Sequence, residues 1–204
     1  MTQSKRHWEQ VYETRAPDEV SWHQAVPSLS HELVLAAAPD REAGIIDVGG
    51  GASSLAALLL ADGYRDLTVL DISERALERS RERIGARAAE IDWIAADITA
   101  WRPMRTWSVW HDRAVFHFLT GTAQQEAYIE ALQNATRPGA IAIVAAFAPD
   151  GPQMCSGLPV QRYSPAMLAA RIGSGFELED ERFERHLTPQ GKAQSFAYAV
   201  LRRR

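Results

Sequence analysis

Residues 45–54 read IIDVGGGASS: an apolar run carrying one aspartate, then three glycines, then an alanine and two serines. The aliphatic stretch Leu55 to Ala61 follows at helical spacing, so the glycines fall where a strand, Ile45 to Val48, hands over to a helix. Glycine gives up more backbone entropy on folding than any other residue. Three of them at that point imply that something must approach the main chain itself.

Outward from this turn, Thr68 to Leu70, Ile91 to Ala95, Ser108 to Trp110 and Ile141 to Phe147 read as further strands. The helical patterns Glu74 to Ile84 and Thr122 to Ala135 lie among them. Near-continuous apolar strands alternating with helices predict a parallel sheet covered on both faces. Phe176 to Arg185 and Ser195 to Arg202 instead alternate apolar and polar residues around Thr188-Pro189-Gln190-Gly191, which predicts a closing hairpin and one antiparallel strand. Residues 1–40 hold Trp8, Tyr12, Trp22 and Pro27 in three helix-like pieces. They read as a cap on residues 41–204, so residues 1–204 are expected to form a single domain of α/β class.

Composition narrows the function. The chain has 204 residues, 46% apolar and 24% charged, with a formal net charge of −4. That balance suits an ordinary globule and lacks the basic face a nucleic-acid partner would require. The single cysteine, Cys155, excludes an intramolecular disulfide and favours a reducing compartment. No apolar core interrupts the start MTQSKRHWEQ, and no run is long enough to span a bilayer, so the expectation is a cytoplasmic protein with no membrane partner. The sequence does not specify an oligomeric state.

The acids around the glycines identify the ligand class. In an open α/β sheet, ligands bind outside the carboxyl ends of the strands, where Gly49, Gly50 and Gly51 fall. Asp71 closes the second strand 20 residues after Gly51, matching the ~20 expected between a nucleotide-binding turn and a carboxylate that takes ribose hydroxyls. Asp97 closes the third. A dinucleotide fingerprint would need glycine where Ser54 stands. Asp47, two residues before the first glycine, would also repel a pyrophosphate and attract an ammonium group. A nucleoside joined to a cationic amino acid fits these charges, and S-adenosylmethionine is such a molecule.

Asp47-Val48-Gly49-Gly50-Gly51, Leu70-Asp71-Ile72-Ser73 and Ala96-Asp97-Ile98 together resemble the cofactor-binding set of the class I S-adenosylmethionine-dependent methyltransferases. The resemblance covers roughly residues 44–147 and extends to the antiparallel last strand. It implies a Rossmann-like methyltransferase fold, a seven-stranded sheet under an N-terminal helical cap, with S-adenosylmethionine as cofactor and S-adenosylhomocysteine as product. It further implies that the glycine turn packs on the methionine part and Asp71 takes the ribose hydroxyls. Asp97 would face the adenine amino group, with Ile72 and Ile98 flanking the ring. Ser53 stands where many relatives have a third glycine.

Methyl transfer from a sulfonium is an in-line displacement that relies on positioning and exclusion of water more than on acid–base help. His111 and Asp112, at the end of the fourth strand, fall where related enzymes place groups beside the methionine part and the acceptor; His111 is a candidate base for an acceptor proton and Asp112 its neighbour in the site. For His117 a packing role is favoured. The long segment from Phe147 to Tyr163 invites a functional reading, with Arg162 as a possible clamp for an anionic acceptor. Ser21-Trp22-His23-Gln24 resembles the leading lid of small-molecule methyltransferases, and Trp22 is assigned to the cofactor entrance. A small-molecule acceptor is expected. Protein lysine methylation, nicotinamide-dependent oxidoreduction and a non-catalytic cofactor-binding module are the alternatives.

Overall fold

A computed structural model describes residues 2–16 and 19–204. Its sheet is built from β1 (Ile45–Val48), β2 (Leu67–Asp71), β3 (Ile91–Ala95), β4 (Trp107–Arg113), β5 (Thr136–Phe147), β8 (Phe176–Leu187) and β9 (Ala193–Arg203). Their order is β3-β2-β1-β4-β5-β9-β8. The first five run parallel, and β9 lies antiparallel to β5 and to β8. This is the mostly parallel sheet that the alternating pattern predicts, in the seven-stranded Rossmann-like arrangement that the resemblance implies. A further small hairpin, β6 (Met154–Cys155) with β7 (Leu158–Pro159), stands apart from it.

Period-two alternation along each strand divides the core into two layers. Ile45, Val109 and Ile143 pack with Leu33, Leu55, Leu59 and Leu77 on one face. These come from α2 (Ser28–Ala37), α3 (Leu55–Ala61) and α4 (Glu74–Ile84). Ile46, Trp110 and Val144 pack on the other face against Tyr128, Leu132, Leu168 and Ile172, from α5 (Thr122–Asn134) and α6 (Pro165–Ile172). Each such large apolar side chain contributes about 1.5–3 kcal/mol on burial.

The helices start where the sequence supplies acceptors for free amides. Ser73 Oγ accepts from the Ala76 amide at the head of α4, and Ser164 Oγ does the same for Met167 in α6. The left-handed Gly85 and Gly173, with φ of 71° and 96°, close those two helices.

The cap contains α1 (Gln3–Thr14) as well as α2. Glu9 of α1 takes the Ser73 hydroxyl at 3.0 Å and the Glu74 amide at 2.9 Å, so α1 is docked onto the positive end of α4. The β8–β9 hairpin holds the following loop: His186 Nε2 bonds the Ser21 carbonyl at 2.7 Å, and Gln24 Nε2 donates to Glu184 at 2.8 Å. Arg113 ties both to the sheet. It donates to the Trp22 carbonyl, to Tyr198 Oη and to the largely buried Glu184, and its guanidinium lies 4.0 Å from the Phe196 ring centroid.

Candidate active site

Strand order reverses between β1 and β4, and there two adjoining cavities open at the carboxyl ends of the strands. The larger encloses about 970 Å³ counting its open mouth. Val48, Gly49, Tyr12, Trp22 and Arg113 line both, so the two form one cleft.

The glycine turn works by close approach. Gly49 has φ of 73°, and a Cβ there would run into Val115. A Cβ on Gly50 would collide with the Asp47 carboxylate, and one on Gly51 with Asp71. The three glycines thus let two carboxylates press against main chain. Asp71 Oδ2 accepts from the Gly51 amide at 3.0 Å and Oδ1 from the Ser73 amide at 2.9 Å. Burial, with Asp47 and Glu9 nearby, overrides those bonds and pushes its carboxyl up to about 6. Asp71, Ile72, Asp97 and Ile98 all line the larger cavity. Asp97 Oδ1 is held by the Thr99 amide and hydroxyl at 3.0 and 2.7 Å, leaving Oδ2 outside that turn. Ser53 lines the smaller cavity, where its hydroxyl accepts from the Leu55 amide at 3.0 Å.

Asp47 and His111 are register partners on β1 and β4 and point to the same face. Asp47 Oδ1 lies 2.7 Å from His111 Nδ1, and both side chains are buried on the wall of the smaller cavity. The remaining atoms, Asp47 Oδ2 and His111 Nε2, find no hydrogen-bond partner among the described residues. Such orphaned buried groups cost free energy unless a ligand satisfies them. They suit the cationic end of a cofactor.

Asp112 does not belong to this cleft. One residue on from His111, it points to the opposite face and is fully buried. Its carboxylate accepts from the Val115 and Phe116 amides at 2.8 and 3.1 Å and from Tyr128 Oη at 2.6 Å. Trp110 Nε1 donates in turn to Tyr128 Oη at 3.0 Å. Asp112 caps the turn after β4 and lines neither cavity, so the catalytic assignment is withdrawn. His111 lines the smaller cavity beside Asp47, together with Tyr12 and Trp22.

The aromatic wall of the larger cavity comes from the cap and from Phe118 after β4. The rings of Trp8 and Trp22 meet edge-on at 5.6 Å, Trp8 and Phe118 at 5.0 Å, and Tyr12 joins Trp22 at 6.3 Å. All four line the larger cavity with Cys155 and Leu158 of the small hairpin. Burial pushes the Cys155 thiol up to about 11 and the Tyr12 phenol well above its usual range. Arg162 donates through Nη1 to the Pro149 and Gly151 carbonyls and so ties down the loop base. His117 is fully buried against Phe147, and burial drives its pKa down to about 3.

Comparison with known proteins agrees with this fold. Residues 45–139 match the family model described as a methyltransferase domain. Over 96 residues the chain is 27% identical to the eEF1A lysine and N-terminal methyltransferase of Mus musculus, a stretch that makes up 47% of this chain and 14% of that protein. The chain therefore spans a small part of that relative. Among solved structures, one reported for conversion of a disulfide bond into a thioacetal group during echinomycin biosynthesis has a TM-score of 0.77 at 23% identity, covering 98% of this chain and 92% of that one. The N-methyltransferase NodS from Bradyrhizobium japonicum WM9, in complex with S-adenosylhomocysteine, has a TM-score of 0.72 at 15% identity over 96% of this chain and 97% of that one. The 1,6-didemethyltoxoflavin-N1-methyltransferase of Burkholderia thailandensis has a TM-score of 0.66 at 17% identity over 98% and 84%. At these identities the likeness is one of fold.

Proposed function

We propose that this chain, whose residues 45–139 match a methyltransferase domain and whose fold is that of the class I S-adenosylmethionine-dependent methyltransferases, transfers a methyl group from S-adenosylmethionine to a small-molecule acceptor. The observation that carries the reading is the single cleft at the strand reversal. There Asp71, Ile72, Asp97 and Ile98 line one chamber, and Asp47 with Gly49 and Gly50 lines its neighbour.

When bound, the cofactor supplies an electrophilic methyl group on a sulfonium. Asp71 takes the ribose hydroxyls on the lone pairs that the Gly51 and Ser73 amides leave free. Asp47 takes the ammonium, and Trp8, Tyr12, Trp22 and Phe118 exclude water from the reacting end. Several of the described groups that line the larger chamber are unsuited to removing a proton at neutral pH. Tyr12 and Cys155 hold theirs, Arg113 is a cation, and Asp71 is engaged with two amides. The acceptor class we propose is a mostly apolar small molecule that brings an available lone pair, such as an unprotonated ring nitrogen or a thiolate, and so needs no base from these groups.

Protein lysine methylation is the second reading, supported by the similarity to the eEF1A methyltransferase over 96 residues. Incubating the purified chain with radiolabelled S-adenosylmethionine and either a metabolite extract or lysate protein separates the two. Label in the small-molecule fraction supports the first reading, and label confined to protein overturns it in favour of the second.

A further inference from the structure

The Asp47–His111 pair has a directional consequence. With the carboxylate ionised and the imidazole neutral, the nitrogen 2.7 Å from Asp47 Oδ1 carries the hydrogen and Nε2 keeps a lone pair. Asp47 Oδ2 and His111 Nε2 are then two acceptors in one buried chamber, neither with a partner among the described residues. Parallel register between β1 and β4 sets them side by side. An anion or a carboxyl group would be repelled there. A hydroxyl would satisfy one of the two. An ammonium group brings several N–H donors and the charge that Asp47 calls for.

We infer that His111 is a cofactor-binding residue and not a base. Its Nε2 is a second acceptor, beside Asp47 Oδ2, for the α-ammonium of the cofactor's amino-acid end. Asp47 has two functions in this arrangement: it attracts the ammonium, and it fixes the imidazole tautomer that exposes a lone pair. His111 thereby selects a nucleoside that carries an amino acid over the same nucleoside without one. The inference rests on the cofactor reading above and makes a claim that can fail separately.

The test is calorimetric titration with two probes, S-adenosylhomocysteine and 5′-methylthioadenosine, which shares the adenosine and thioether but lacks the amino acid. His111→Phe should weaken S-adenosylhomocysteine about ten- to a hundredfold and leave methylthioadenosine within about twofold. His111→Gln, which keeps a donor and an acceptor, should recover part of the loss and gives a second variant if the Phe form does not fold. Equal loss for both probes, or no loss for either, overturns the role given to His111. A wild-type chain that binds neither nucleoside overturns the cofactor reading itself.

Discussion

Asp71 Oδ2 accepts a 3.0 Å hydrogen bond from the Gly51 amide, so the terminal acid of β2 is tied directly to the glycine turn after β1. The two motifs are separate in sequence and form one object in space. Replacing Asp71 by Ala removes the ribose acceptors together with this tie. Two charge-assisted hydrogen bonds of ~1.5–3 kcal/mol each would be lost, so methylthioadenosine affinity should fall by at least a hundredfold. Unchanged affinity would show that the ribose lies elsewhere.

The same carboxyl sets a pH dependence. Its pKa is raised to about 6, above the usual carboxylate range, chiefly by burial. A raised acid binds more protons folded than unfolded, so its contribution to stability is present at low pH and declines as pH rises through about 6. Nucleoside binding has the opposite slope, because ribose hydroxyls favour the ionised acceptor. Methylthioadenosine affinity should climb from pH 5 to about pH 7 and then level off. Asp71→Asn should bind weakly with no such slope, as calorimetry across that range would record.

Glu9 is the latch between cap and core. Glu9→Ala leaves the Ser73 hydroxyl and the first amides of α4 without their acceptor, a loss of about 0.5–2 kcal/mol by analogy with helix caps. Hydrogen exchange should speed up selectively across residues 3–14, with the sheet unaffected. Uniform acceleration everywhere would mean that Glu9 supports the whole fold.

Arg113 and Glu184 form a largely buried pair that also holds the Trp22 carbonyl. Glu184→Ala strands the guanidinium and should cost on the order of 3 kcal/mol in urea unfolding. A change below about 0.5 kcal/mol would place the pair with ordinary surface ion pairs.

The local parts of this molecule were legible in its sequence. The glycine turn announces itself because no side chain competes with the backbone there, and strands β1 and β3 begin and end where their apolar runs do. The spacing to Asp71 was readable for the same reason. What depends on register between distant strands was not: Asp47 and His111 meet across 64 positions of chain. Asp112 was misplaced although a signal existed, since alternation along β4 puts it on the face opposite His111. Helix α6 is eight residues long, too short for its periodicity to stand out from the loop before it. Arg113 gave no hint of its partners, because Glu184 and Tyr198 reach it from strands that follow much later in the chain.

The most direct measurement is calorimetric titration of the purified chain with S-adenosylhomocysteine and, separately, NADH. The account predicts saturable one-to-one binding of S-adenosylhomocysteine and no heat with NADH, since Asp47 repels a pyrophosphate at the glycine turn. Saturable NADH binding with none of S-adenosylhomocysteine would contradict it.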